Sequence, residues 1–181
     1  MKYNNDWLRD KYNAQETIEF SFFWGHKASE DGSITKSCFS QWWVAPFEVD
    51  GIIYKTAEHW MMAGKARLFN DTAILEKIIQ IDTPAKAKKL GRAVKDFDPV
   101  TWDREKFNIV VTGNLYKFSQ HNALKHFLLG TGNKVIVEAS PMDKIWGIGM
   151  KQDNADATNP LLWKGQNLLG YALMEVRDKL Q

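Results

Sequence analysis

The chain has 181 residues and sets 24 Lys+Arg against 22 Asp+Glu for a formal charge of +2; it is 44% hydrophobic and 25% charged. That length suits one domain with a buried core, and the charge balance excludes a protein that coats nucleic acid or an acidic membrane through a general field. The lone cysteine, Cys38, excludes an intramolecular disulfide, and no Cys/His cluster has zinc-ligand spacing, so a reducing, cytoplasmic setting and no metal are expected.

Residues 1–16 read as a polar leader ahead of a domain over 17–181. Met1 to Asp10 carries charge where a secretion signal needs an apolar core, and no apolar run approaches about 20 residues, so neither export nor a membrane span is expected. The segment 17–22 alternates like a strand, and 47–54 sets an Asp50-Gly51 turn between two short apolar runs, a hairpin pattern. From Thr56, a natural N-cap, the period becomes helical, with Ala57, Met61, Gly64 and Leu68 on one stripe to about Phe69. Asp71-Thr72, Thr83-Pro84 and Asp98-Pro99 are three further helix starts. The last opens the longest amphipathic run, through an interior Gly113. A short helix over 122–129, a strand over 135–139 and a closing helix over 168–180 complete the pattern. The fold class is therefore α+β, a compact, mainly helical domain with a small β-sheet. The region 141–165 reads as loop; its length, with Trp146 and Trp163 in it, points to function rather than disorder.

The residues that could carry chemistry begin at the helix start. Glu58 and His59 occupy the first turn after Thr56, where unpaired N–H groups and the positive dipole end favour a carboxylate. Lys65, seven residues on, projects from nearly the same face, with Met62 between. On spacing alone this is a solvated Glu/Lys edge, and a pocket wall is the sharper alternative. Asp143-Lys144-Ile145-Trp146-Gly147 could pair a hydrogen-bond acceptor with a stacking surface, or be ordinary turn chemistry. Arg92, at the end of a lysine-rich helix, could contact phosphate. Cys38 is more readily packing than nucleophile, since nothing nearby offers a base.

In order, Phe22-Phe23-Trp24, Cys38-Phe39-Ser40-Gln41-Trp42, Tyr54-Lys55-Thr56-Ala57-Glu58-His59-Trp60, Lys65, Gly91-Arg92, Trp102, Asp143 to Gly147 and Gly165-Gln166-Asn167-Leu168-Leu169-Gly170 resemble the YbiA/NADAR family across roughly 18–180. The resemblance implies an N-glycosidase that cleaves the C1–N bond of a ribosylated base, without cofactor or metal. It implies phosphoribosylamino-pyrimidine intermediates of riboflavin biosynthesis as substrates. ADP-ribosylated guanine, free or in nucleic acid, is the alternative substrate, and a non-catalytic module binding ADP-ribose-like nucleotides the alternative role. Such a reaction builds oxocarbenium-like charge on the sugar and needs a proton for the leaving base. By resemblance Glu58 is the acid/base or charge-stabilising group, Lys65 a Schiff-base nucleophile if burial lowers its pKa, and Asp143 the group that orients hydroxyls or activates water. Phe23, Phe39, Ser40, Gln41, His59, Arg92, Trp102, Trp146, Gly147 and Asn167 are the implied substrate-binding set. Gln41 replaces the asparagine frequent after Phe-Ser, keeping an amide, and the 147–165 segment is longer than in shorter members, which bears on substrate choice.

Overall fold

The computed structural model describes residues 1–181. The chain forms two compact units, Gln41–Asn122 and Met1–Ser40 together with Ala123–Gln181. Helices predominate in an α+β arrangement, with seven helices and two pairs of strands.

The continuous unit begins with a hairpin, β2 (Val44–Val49) and β3 (Ile52–Thr56), numbered after β1 of the other unit. Asp50 and Gly51 both sit at positive φ (52° and 77°), the conformation a two-residue hairpin turn demands, so the turn read from the sequence is the one formed. Four helices follow: α2 (Ala57–Leu68), α3 (Thr72–Gln80), α4 (Pro84–Arg92) and α5 (Pro99–Gln120). Each has a side-chain cap. Thr56 accepts from His59 N, Asp71 from Ile74 N, Thr83 from Lys86 N and Asp98 from Thr101 N, which satisfies donors that helix geometry leaves open. Asp71 also accepts from Lys95 N at 3.0 Å, tying the chain beyond α4 back to the start of α3.

Close approaches to α2 are made by glycines. A Cβ on Gly113 of α5 would lie 2.2 Å from Trp60 Cδ1, and one on Gly91 of α4 would lie 2.0 Å from Met62 Sδ. The helix carrying Glu58 and Lys65 is thus clasped from two sides. The buried ring of Phe47 stacks on Tyr54 within the hairpin, which closes the unit's apolar interior.

In the other unit, α1 (Asn5–Asn13) precedes β1 (Phe20–Phe23) and a 3-10 turn (Lys36–Phe39), and α6 (Asn122–Leu129) leads to β4 (Val135–Glu138). β1 and β4 pair in parallel, Phe20 opposite Val135 and Phe23 opposite Glu138. The strand therefore starts later than the alternation over 17–22 suggests. Residues between β4 and α7 (Leu168–Leu180) form no regular element, as the sequence indicates. The leader segment is helical: Asn4 caps α1 by accepting from Trp7 N at 2.7 Å, and Leu8 is fully buried.

Candidate active site

The expected residues divide between the units. Gln41, Glu58, His59, Lys65, Arg92 and Trp102 belong to one; Phe23, Phe39, Ser40, Asp143, Trp146, Gly147 and Asn167 belong to the other.

Glu58 is only 2% exposed, so the solvated Glu/Lys edge that spacing alone favoured is not what forms. Its main-chain N–H donates to Gln41 O at 2.9 Å, which joins the start of α2 to the segment entering β2. Gln41 is held in turn. Its Oε1 accepts from Asn114 Nδ2 at 2.8 Å, and the same Nδ2 donates to Val110 O one turn back on α5. Gln41 Nε2 and Asn114 Oδ1 are buried and make no hydrogen bond within the chain. Burying such atoms costs about 1–3 kcal/mol apiece, an expense native folds mostly tolerate where polarity serves a purpose.

His59 is buried with both ring nitrogens used. Nδ1 faces Thr56 Oγ1 at 2.8 Å and Nε2 faces Ile81 O at 3.2 Å. A carbonyl can only accept, so Nε2 carries the proton and Nδ1 accepts from the threonine hydroxyl. Burial and the nearby Lys55 ammonium hold the imidazole below its ordinary pKa, and it serves as a neutral strut between the cap of α2 and the end of α3.

Lys65 lies in an aromatic setting. Its Nζ is 3.9 Å from the centroid of Phe97 and 5.6 Å from that of Trp102, both before or within the first turn of α5. Burial lowers the pKa of its amine, while ring faces attract the cationic form, so the amine sits where its two states are more evenly matched than in water. Arg92 is exposed at the end of α4. Neither Phe97 nor Asn114 was anticipated from the sequence; an aromatic just before the Asp98-Pro99 helix start and an amide on a buried face of α5 were the available signals.

In the second unit, Asp143 Oδ1 accepts from Ile145 N at 2.9 Å and Trp146 N at 2.7 Å, so its carboxylate shapes the turn that carries the tryptophan. Gly147 allows close passage, since a Cβ there would stand 2.7 Å from Glu138 O. Asn167, fully buried with φ of 53°, spends its amide internally: Oδ1 accepts from Glu138 N and Nδ2 donates to Ile136 O, each at 3.0 Å. Phe39 is fully buried and meets Phe23 and Phe127 at centroid distances of 5.5 Å, so its ring is core to this unit. Ser40 is half-buried at the end of the 3-10 turn.

An open groove of about 550 Å³ lined by Tyr54, Trp60, Arg67, Leu68 and Ile109 contains none of the expected residues. No group of three or more His, Cys, Asp or Glu side chains could hold a metal ion, and no helix is long and apolar enough to cross a membrane.

The family model described as the NADAR domain matches residues 22–181. The chain belongs to the NADAR family. It is 44% identical over 171 residues to the N-glycosidase R617 of Acanthamoeba polyphaga mimivirus, covering 92% of this chain and 99% of that protein. It is 33% identical over 144 residues to the N-glycosidase YbiA of Escherichia coli strain K12, covering 80% of this chain and 79% of the relative. The NMR structure of E. coli YbiA superposes with a TM-score of 0.68 at 30% identity, covering 92% of this chain and 88% of the other. This NADAR protein is an enzyme, an N-glycosidase.

Proposed function

We propose that the enzyme hydrolyses the C1–N bond of phosphoribosylamino-pyrimidine intermediates of riboflavin biosynthesis, using Glu58, Lys65 and Asp143. The observation that carries this reading is the helix α2 itself, which presents a buried carboxylate at its start and a half-buried amine two turns on, bracketed by Phe97 and Trp102. Phosphoribosylamines open to an imine at C1. A neutral Lys65 amine adds to that carbon, the aminopyrimidine departs with a proton supplied by Glu58, and a Lys65 imine to the sugar remains. Water then adds to C1, Lys65 is released as the amine, and the net change is one water consumed for one base and one ribose phosphate formed. Asp143 is assigned to orienting sugar hydroxyls, Trp102 and Trp146 to the face of the base, and Arg92 to the phosphate. The lone, buried Cys38 thiol suits a reducing cytoplasm, the compartment proposed for the reaction.

The test is mass detection of released base and ribose phosphate, with ADP-ribosylated guanosine as a parallel substrate. Glu58→Gln is expected to lower kcat by roughly 10²–10⁴-fold, the range of a lost general acid. Lys65→Ala should abolish turnover, and Lys65→Arg should fail to restore it, because a guanidinium keeps the charge but forms no imine. Borohydride should trap the sugar on the wild-type chain. Substantial activity in Lys65→Arg refutes the imine route, and faster release of guanosine than of aminopyrimidine refutes the substrate.

A further inference from the structure

The N-terminal segment with helix α1 lies outside the region matched by the NADAR family model, which begins at residue 22, yet it is fastened to its unit at several points. Lys2 Nζ and Tyr3 Oη both reach Asp178 Oδ2 on α7, at 2.5 and 2.8 Å, and Leu8 is completely buried. Asn5 makes the contact that matters for chemistry. Its Nδ2 donates to Gly165 O at 3.1 Å, and its Oδ1 accepts from the hydroxyl of Tyr171, a residue with no exposed surface.

Gly165 is the point where the 164–169 segment crosses the turn bearing Asp143 and Trp146. A Cβ there would be 2.2 Å from Gly147 O and 2.8 Å from Lys144 Cα, so only glycine permits the crossing. On either side the backbone is laced to that turn: Lys164 N donates to Ile148 O, Gln166 N to Lys144 O, Asn167 N to Gly147 O and Leu169 N to Trp146 O. The carbonyl of Gly165 is turned to α1, and Asn5 supplies its side-chain donor. A single amide therefore joins the buried Tyr171 hydroxyl of α7 to the segment that backs the turn.

From these contacts we infer that Asn5 is a positioning residue, through which α1 fixes the turn holding Asp143 and Trp146 in its working geometry. The inference rests on the reading that Asp143 and Trp146 take part in N-glycoside hydrolysis. Asn5 touches no reacting atom; it acts through Gly165. The N-terminal helix is then a working part of the enzyme and not a passive leader.

The experiment compares Asn5→Ala, Asn5→Asp and, as a control on the exposed edge, Lys2→Ala, all in the full chain. Aspartate can still accept from Tyr171 but cannot donate to Gly165, so the two substitutions separate the halves of the bridge. Amide hydrogen exchange without substrate is read at residues 144–149 and 164–169, with Val135–Val137 of β4 as the internal reference. Both Asn5 variants should exchange about tenfold faster in the turn and its backing segment alone, as a local opening requires. They should also lose roughly tenfold in kcat with KM little changed, as expected when reacting groups are misplaced. Lys2→Ala should match wild type in both respects. Unchanged exchange in the turn overturns the inference, as does acceleration shared equally by β4, which marks general stability, or faster exchange with kcat intact. If wild type hydrolyses no N-glycoside at all, the proposed function fails, and the exchange pattern still decides whether Asn5 holds the turn.

Discussion

Replacing Gly113 by alanine sets two effects against each other in the middle of α5, a helix of 22 residues. Alanine at an interior helix position is ordinarily worth roughly 0.8–1 kcal/mol over glycine. Here the added methyl would stand 2.2 Å from Trp60 Cδ1 and 2.8 Å from Cγ and Nε1. The indole cannot swing away freely, because its Nε1–H donates to Ile109 O at 2.8 Å and its ring packs edge-on against Tyr54 and Tyr116. Overpacking of this kind costs typically about 1–3 kcal/mol, and displacing the indole forfeits a hydrogen bond of about 1 kcal/mol. The difference is a net destabilisation on the order of 1–3 kcal/mol, or some 2–4 °C in Tm per kcal/mol for a chain of this size. Chemical and thermal denaturation followed by tryptophan fluorescence and circular dichroism measure it. The decisive arm is the same substitution beside Trp60→Leu. There the clash is gone and alanine should stabilise the chain relative to glycine, giving a coupling between the two sites larger than their sum explains. A stabilising Gly113→Ala in the wild-type background refutes the close packing of α2 on α5.

His59 is held neutral in the folded chain, its pKa lowered first by burial and then by Lys55. The unfolded chain therefore takes up the proton more readily, so its contribution to stability is complete above the unfolded value of about 6.5 and declines as pH falls below it, until the folded value is passed. Urea midpoints measured from pH 7.5 to 5 should drop more for wild type than for His59→Gln; parallel curves would remove His59 as the cause. Asn167→Ala removes the side-chain hydrogen bonds to Glu138 N–H and Ile136 C=O and keeps a side chain at positive φ, for a loss of about 2–4 kcal/mol. Asn167→Gly relieves only the backbone term and should recover about 1 kcal/mol of that loss in the same denaturation assay; equal losses in the two variants would assign the whole effect to hydrogen bonding.

What the sequence determined by itself was local. Capping side chains followed by helical periodicity marked the starts at Thr56, Asp71, Thr83 and Asp98, and Asp50-Gly51 specified its hairpin, because these signals act within a few residues. Glu58 and Lys65 were placed on one face for the same reason. Their environment was not legible. Whether a carboxylate in a first turn meets water or is covered depends on elements that pack over it, and Glu58 is covered; the ring of Phe97 above Lys65 and the Gln41–Asn114 amide pair likewise come from segments many residues away from the groups they meet. The parallel pairing of β1 with β4 joins residues more than a hundred positions apart, and no local period encodes it. The N-terminal segment shows the limit most sharply. Its polar composition reads as a leader, since neither Leu8 nor Asn5 carries a periodic signal. Only the tertiary structure turns them into a buried anchor and a bridge to Gly165, because a contact surface is made by both partners and a sequence segment displays just one.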